Sequence, residues 1–265
     1  MRSYKNKTVW ITGASSGIGE AMAYAFAKEQ ANLGLSDINE TKLQEVKAKC
    51  IFLDSDVEIF PFDLENTEIF PEIVALVIKR FGNIDLLINN GGISQRSRVD
   101  ETPPQIDRKI MNINFFGNIY LTKLVLPYMK KNNGGHIAAT TSISGKFGFP
   151  LRSTYSASKH ALYGFYETLR FEMAHENIKV TMICPGRVQT NISLHALNKE
   201  GKQHNQMDQG QETGITAEKS ARIILRGLRK EKKEILVGGK ELLMVYLKKY
   251  LPFVFNKIVK RIKPT

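Results

Sequence analysis

Lys7-Thr8-Val9-Trp10-Ile11-Thr12-Gly13-Ala14-Ser15-Ser16-Gly17-Ile18-Gly19 is the stretch whose reading decides the fold. Residues 7–12 are short, largely apolar and β-branched, so they read as a strand. Glycines follow at 13, 17 and 19, and residues 20–28 have the alanine-rich composition of a helix. Strand, glycine turn and helix form the context in which such a motif binds a dinucleotide. The glycines permit a tight turn and close approach of backbone to a pyrophosphate. The helix N-terminus supplies unpaired N–H groups and a partial positive charge. The spacing is Gly-x-x-x-Gly-x-Gly, not the commoner Gly-x-Gly-x-x-Gly, and a plain turn would explain it alone.

The same alternation continues outward. Expected strands are 9–12, 32–36, 57–61, 85–89, 136–141, 179–184 and 234–237. Expected helices are 17–29, 40–49, 69–81, 106–131, 153–176 and 217–229. Apolar strands alternating with helices imply a doubly wound parallel sheet, Rossmann-type, covered on both faces. Ligands of such a sheet bind beyond the C-terminal strand ends. Gly13, Asp37, Asn90, Ser142 and Pro185 all fall there. Residues 191–214 are polar and lie between the sixth strand and the next helix, which suggests a lid; a merely irregular loop is the plainer alternative. The division expected is a catalytic domain over 1–240 and a basic extension over 241–265.

Tyr155-Ser156-Ala157-Ser158-Lys159 carries the chemistry. On a helix, residues four apart share one face. A phenol is a poor acid–base catalyst near neutrality, with a free pKa of about 10. An ammonium nearby favours the phenolate and draws that value down. Ser142, thirteen residues before the tyrosine, ends the apolar run and can donate to a carbonyl oxygen. A tyrosine and a lysine four apart carry no weight without these neighbours.

With these residues in view, the chain resembles the short-chain dehydrogenase/reductases over nearly its whole length. Thr12 to Gly19 matches the family's Thr-Gly-x-x-x-Gly-x-Gly. Asn89-Asn90-Gly91-Gly92 resembles Asn-Asn-Ala-Gly, with Gly91 in place of alanine. Asn114, Ser142, Tyr155 and Lys159 match the catalytic set, and Pro185-Gly186 followed by Thr190 matches the Pro-Gly motif. Segments 89–97, 155–162 and 245–248 are most similar to the dehydrogenase/reductase member 7 branch. That branch tends to be membrane-associated through an N-terminal anchor; Met1 to Lys7 is too short and polar to serve as one.

The resemblance implies cofactor contacts at Gly13, Ser15, Ser16, Gly17, Ile18, Gly19, Asp37, Asp63, Leu64, Asn90, Gly91, Tyr155, Lys159, Pro185, Gly186, Val188 and Thr190. Asp63 sits where the family's aspartate lies by the adenine ring. Tyr155 is the expected general acid/base, Ser142 orients the substrate oxygen, and Lys159 favours the phenolate and binds the nicotinamide ribose. Asn114 helps hold a water that relays protons. A homodimer or homotetramer is also implied.

Asp37 ends the second strand. Its carboxylate can accept from ribose hydroxyls and would repel a 2′-phosphate, so NAD(H) is favoured. NADP-using relatives often place a basic residue next to it or in the glycine turn, where this chain has Ile38 and Ser16. If Asp37 is only a turn or helix-capping residue, NADP(H) stays open.

Ser142, Ile143, Phe149, Leu151, Tyr155 and Arg187 are candidate substrate contacts, with Ile93, Ser94 and Val188 beside them. Their largely apolar character favours a hydrophobic alcohol or carbonyl compound. Arg187 can meet an acidic group or face solvent. Gln95-Arg96-Ser97-Arg98 is expected on an entrance loop, with solvation the default for its charges. His195 in the lid is more incidental than catalytic. No histidine or cysteine spacing suits a metal, and the two cysteines offer no disulfide framework, which together with the N-terminus points to a reducing cytoplasm.

Apolar residues make up 42% and charged residues 24% of the chain. Net charge is +12, unevenly placed. Residues 217–265 hold 14 basic and 4 acidic side chains, whereas residues 1–216 hold 24 and 22. The basicity belongs to the tail, which argues against a nucleic-acid surface spread over the fold. Leu243, Leu247, Leu251, Val254, Ile258 and Ile262 recur at helical spacing, with Lys248, Lys249, Lys257, Lys260, Arg261 and Lys263 among them. Pro252 should kink or split that helix. An interfacial helix on anionic lipid and a helix packed on the protein or a partner subunit are equally compatible with the pattern. Two other classes compete with an enzyme: a dinucleotide-sensing scaffold and a membrane-surface module. The complete catalytic set argues against both.

Overall fold

The computed structural model describes residues 3–259. Lys260, Arg261, Ile262 and Lys263 of the basic tail lie outside the described residues. Seven parallel strands form one sheet in the order β3-β2-β1-β4-β5-β6-β7. They are β1 (Thr8–Thr12), β2 (Asn32–Ser36), β3 (Val57–Ile59), β4 (Leu86–Asn89), β5 (Gly135–Thr140), β6 (Ile178–Pro185) and β7 (Glu234–Val237). The helices are α1 (Gly17–Ala27), α2 (Glu40–Ile51), α3 (Phe70–Phe81), α4 (Pro104–Met111), α5 (Asn118–Lys131), α6 (Ser153–Glu172), α7 (Gln209–Glu212), α8 (Ala217–Arg229), α9 (Leu243–Tyr250) and α10 (Pro252–Val259).

β1 shows why the sheet is covered twice. Side chains alternate along a strand, so Val9 and Ile11 face one way and Trp10 the other. Val9 and Ile11 join Met22 and Phe26 of α1, Leu43 of α2 and Ile224 of α8 in one apolar cluster. Trp10 joins Val74 of α3, Val125 of α5 and Leu162 and Tyr166 of α6 in a second. Both are continuous cores, and burying apolar side chains at about 1.5–3 kcal/mol each is what drives the two layers together. β1 pairs with β2 on one side and β4 on the other. The strand order reverses there, with β2 and β3 laid to one side and β4 to β7 to the other, which opens a crevice at the C-terminal strand ends.

The largest departure from expectation lies in the long helix expected over 106–131. It is two α-helices joined by a π-turn over Asn112–Gly117. Asn114 turns its side chain away from the helix, and Asn118 Nδ2 donates to the Ile113 and Asn114 carbonyls at 3.2 and 2.9 Å. An inserted residue of this kind re-aims side chains and recurs at functional sites. The helix expected to reach 176 ends at Glu172, followed by a single 3₁₀ turn, and Asn177 stops it in the left-handed region at φ 53°. β3 stops at Ile59, just before Pro61, which has no N–H for the ladder. Pro252 splits the tail as expected, between α9 and α10. The packed face of that tail is not the leucine stripe. Phe255 is the buried side chain, stacked edge-on against Phe147 at 5.0 Å.

Candidate active site

The glycine loop and the β4 end are built against each other. Gly13 has φ 65°, and a Cβ there would lie 2.7 Å from the Gly91 Cα. A Cβ on Gly19 would lie 1.9 Å from the Gly13 carbonyl oxygen. Only glycine fits at both. Thr12 Oγ1 accepts from the Asn90 and Gly91 amides, each at 3.0 Å. Asn90 Nδ2 donates to the Thr12 and Gly13 carbonyls, both at 3.2 Å. Ser16 holds the N-cap position of α1 but makes no side-chain cap bond, so the first-turn N–H groups remain free for an anionic acceptor. At the end of β2, Asp37 accepts from the Ser15 amide at 3.4 Å and the Asn39 amide at 3.1 Å. Asp63 accepts from the Glu65 amide at 2.8 Å.

These residues open into one cavity of about 1210 Å³, just above the roughly 300–1,000 Å³ of an ordinary ligand pocket. Its wall includes Gly13, Ser15, Ser16, Gly17, Ile18, Asp37, Asp63, Leu64, Asn90, Gly91, Pro185, Gly186, Val188 and Thr190. Ser142, Ile143, Phe149, Tyr155, Lys159 and Arg187 face the same space.

Three expected contacts fall elsewhere. Gly19 lies behind the loop, where its missing side chain lets α1 dock. Leu151 is not in the cavity wall. It adopts φ 61°, turns the chain into α6 and accepts from the Ser97 amide at 3.2 Å. Asn114 is also behind the wall. Its Oδ1 accepts from the Ile93 amide at 2.8 Å, and its Nδ2 donates to the Ile93 carbonyl and to Ser158 Oγ at 2.9 and 3.1 Å. The π-turn is what aims it there.

Tyr155 and Lys159 are buried one turn apart on α6. Lys159 Nζ donates to the Thr140 carbonyl at 2.9 Å and lies 5.7 Å from the Tyr155 ring centre. Burial draws the ammonium down to about 8. Burial also holds the Tyr155 phenol above its ordinary value, opposed first by the Ser142 hydrogen bond and then by Arg152 and Arg96. Arg152 and Arg96 thus add positive charge near the phenol beyond that of Lys159. Ser142 caps the next 3₁₀ turn by accepting from the Ser144 amide at 3.1 Å.

Arg96 overturns the expectation of a solvated entrance loop. Its side chain is 2% exposed, and its Nε donates to Asp208 Oδ1 at 3.1 Å and its Nη2 to Oδ2 at 2.5 Å. Arg152 Nη2 donates to that same Oδ2 at 2.5 Å. Arg98, two residues on, is exposed and pairs with Asp100. Asp208 ties the segment expected to be a lid onto the β4 side, helped by the Arg96 amide donating to the Leu197 carbonyl at 2.8 Å. His195 faces the cavity but is exposed.

Comparison with known proteins identifies the family. A family model described as short chain dehydrogenase matches residues 7–201. The chain belongs to the short-chain dehydrogenase/reductase family. It is 38% identical over 249 residues to a dehydrogenase/reductase SDR family protein 7-like of Drosophila melanogaster, covering 92% of this chain and 76% of that one. It is 38% identical to human dehydrogenase/reductase SDR family member 7, covering 96% and 78%. Among solved structures, a short-chain dehydrogenase/reductase from Burkholderia phymatum in complex with NAD superposes with a TM-score of 0.84 at 23% identity, covering 100% of this chain and 98% of that one. Levodione reductase gives 0.80 at 24% identity, covering 90% and 98%.

The cavity of this short-chain dehydrogenase/reductase also has lining side chains that motif reading did not place there. Lys42, Arg96, Arg152, Asp208, Glu241 and Met244 all line the cavity. Glu241, at the base of the extension, accepts from the Arg187 amide at 2.8 Å. Gln95, fully buried, holds the start of α6: its Oε1 accepts from the Thr154 and Tyr155 amides at 2.9 and 3.3 Å. Its Nε2 donates to Ser97, Thr102 and Ser153 hydroxyls at 3.1, 3.1 and 3.2 Å. Only a polar residue inside an otherwise solvated-looking loop hinted at this.

Proposed function

We propose that the protein is an NAD(H)-linked oxidoreductase that interconverts an alcohol and its carbonyl compound, with Tyr155 as the group that gives or takes the hydroxyl proton. The observation that carries this reading is a buried Tyr155, Lys159 and Ser142 set opening on the same cavity as the glycine loop. The cradle at Gly13, the free first-turn N–H groups of α1 and the acceptor at Asp37 fit a dinucleotide. When bound, the nicotinamide supplies or accepts the hydride.

The chain's own part is proton handling and orientation. Ser142 donates to the substrate oxygen and holds it beside the Tyr155 hydroxyl. Tyr155 transfers the proton at its phenolic oxygen. Lys159 holds a positive charge within reach of that ring, and Asn114 fixes the Ile93 backbone on the opposite wall. Ile93, Ile143, Phe149 and Met244 offer an apolar body to the substrate and keep water away from the reacting atoms.

Tyr155→Phe tests this. Turnover should fall by at least about 10²–10³, while NADH titration followed by cofactor fluorescence should give an unchanged Kd. A variant with a sizeable fraction of parental kcat would sink the mechanism. NADP(H) is the second reading, favoured by one observation: Lys42 lines the cavity beside Asp37 and could meet a 2′-phosphate.

For the tail we infer contact with an anionic lipid surface. Phe253 is 91% exposed, and Leu243, Tyr250 and Leu251 are exposed alongside Lys248, Lys249 and Lys257. Apolar groups with interleaved cations suit a headgroup boundary. Among the described residues no helix is long and apolar enough to cross a membrane.

A further inference from the structure

We propose that Arg96 and Arg152 form the seat for an anionic group, a carboxylate or a phosphate, on the substrate, and that Asp208 occupies this seat when the substrate is away. The inference rests on the oxidoreductase reading and names the substrate class for that site.

Charge is the first argument. Two guanidinium groups meet one carboxylate in the cavity wall, so the cluster carries one uncompensated positive charge. Its side chains are 2%, 14% and 6% exposed for Arg96, Arg152 and Asp208. Leaving a cation uncompensated in such a place is costly, and an anion from outside would remove that cost. Folding alone does not need it, since an apolar contact would close the wall more favourably.

Geometry is the second argument. Arg96 is spent: Nε and Nη2 serve Asp208, and Nη1 donates to Ser94 Oγ and the Gln95 carbonyl. Arg152 is not. It gives one bond to Asp208 Oδ2, lies 4.8 Å over the Phe149 ring, and its other N–H groups meet no acceptor among the described residues. A planar donor fork with free N–H groups, held over an aromatic ring, suits a carboxylate or phosphate. Both arginines act on the Tyr155 phenol, which places the seat within electrostatic reach of the reacting oxygen.

Exchange is the third argument. Asp208 comes from the segment between β6 and α8, not from the sheet. Burial works to raise its carboxyl, but Arg96 and then Arg152 hold it below its ordinary value. It therefore stays an anion and mimics the group that would replace it. A substrate anion entering the fork would release Asp208 and its segment. The substrate expected is one with an apolar body, a hydroxyl or carbonyl, and an acidic group a few bonds away.

The test uses the full chain and two independent readouts. In calorimetric titrations, hexanoate and hexyl phosphate should each bind at least about 10-fold more tightly than hexanol, the size of one charge-assisted contact. The better of the two identifies carboxylate or phosphate as the group. Asp208→Asn keeps both arginines and removes the competing charge from the seat, so it should tighten that binding about 10-fold; Arg152→Met should weaken it by about as much. In turnover with NADH, levulinate should be reduced with higher kcat/KM than methyl levulinate, and Arg152→Met should erase the difference by lowering only the acid. Arg152→Lys should restore part of it. Equal binding of hexanol and both anions, or anion binding indifferent to Asp208→Asn, overturns the proposal. If neither ketone turns over while anion binding follows Arg152 and Asp208, the oxidoreductase reading has failed and the anion seat stands.

Discussion

Lys159→Met is expected to abolish turnover and yet make the folded chain more stable at neutral pH. The lysine is 4% exposed, and burial takes its ammonium from 10.5 to about 8. That gap of roughly 2.5 pH units, at 1.36 kcal/mol per unit, is about 3 kcal/mol of stability forgone by burying the cation. Methionine fills a similar volume without the charge. Loss of the bond to the Thr140 carbonyl returns about 1 kcal/mol. The net gain near pH 7 is therefore about 2 kcal/mol, or roughly 4–8 °C in Tm for a chain of this size.

The sign depends on pH in a defined way. Below about 8 the folded and unfolded chains both hold the proton, and the burial cost is fully present. Between about 8 and 10.5 the unfolded chain holds it and the folded chain does not, so the parent gains stability as pH rises. The advantage of Lys159→Met should accordingly be full near pH 7 and shrink toward pH 10. Urea unfolding without cofactor can be followed by the single tryptophan, Trp10, which is buried and donates to Ser36 Oγ at 2.9 Å. A variant less stable than the parent near pH 7, or one whose advantage ignores pH, would refute the reasoning.

Gln95→Ala removes the acceptor for two N–H groups at the start of α6, each worth about 1 kcal/mol as a cap; Tm should drop by roughly 4–8 °C and kcat should fall with it, and an unchanged kcat would show that Gln95 does not position Tyr155. Asp37→Ala with Ile38→Arg should move the ratio of kcat/KM values toward NADPH; an unmoved ratio means Asp37 does not choose the cofactor. Leu251→Asp with Phe253→Asp should abolish flotation on phosphatidylserine vesicles, since two exposed apolar contacts are lost to repelled charges. If the parent itself stays with the soluble fraction, the lipid surface is the wrong partner.

Period and punctuation were enough for the sheet. Seven short apolar runs, each followed by a helix-like stretch, can be satisfied only by parallel strands with helices on both faces. The glycine spacing and the Ser142, Tyr155 and Lys159 positions follow from local chemistry, and local chemistry is written in neighbouring residues. What periodicity could not show is an inserted residue. Residues 106–131 keep a continuous helical pattern, while the backbone slips by one residue at Asn112–Gly117 because Asn114 finds its partner in Ile93 across the sheet end.

Pairings between distant segments were decided only in three dimensions. Arg96 and Arg98 are two apart in similar company, yet one is sealed in the cavity wall and the other lies in water. The difference is Asp208, more than a hundred residues away, which the fold brings to Arg96 and not to Arg98. In the tail, the leucine repeat marked a helix face, but burial went to Phe255, because Phe147 waits at that point on the body. Strands and turns depend on contacts within a few residues, and so can be read from the chain. Charge burial and docking depend on which surfaces meet, and the folded chain alone determines that.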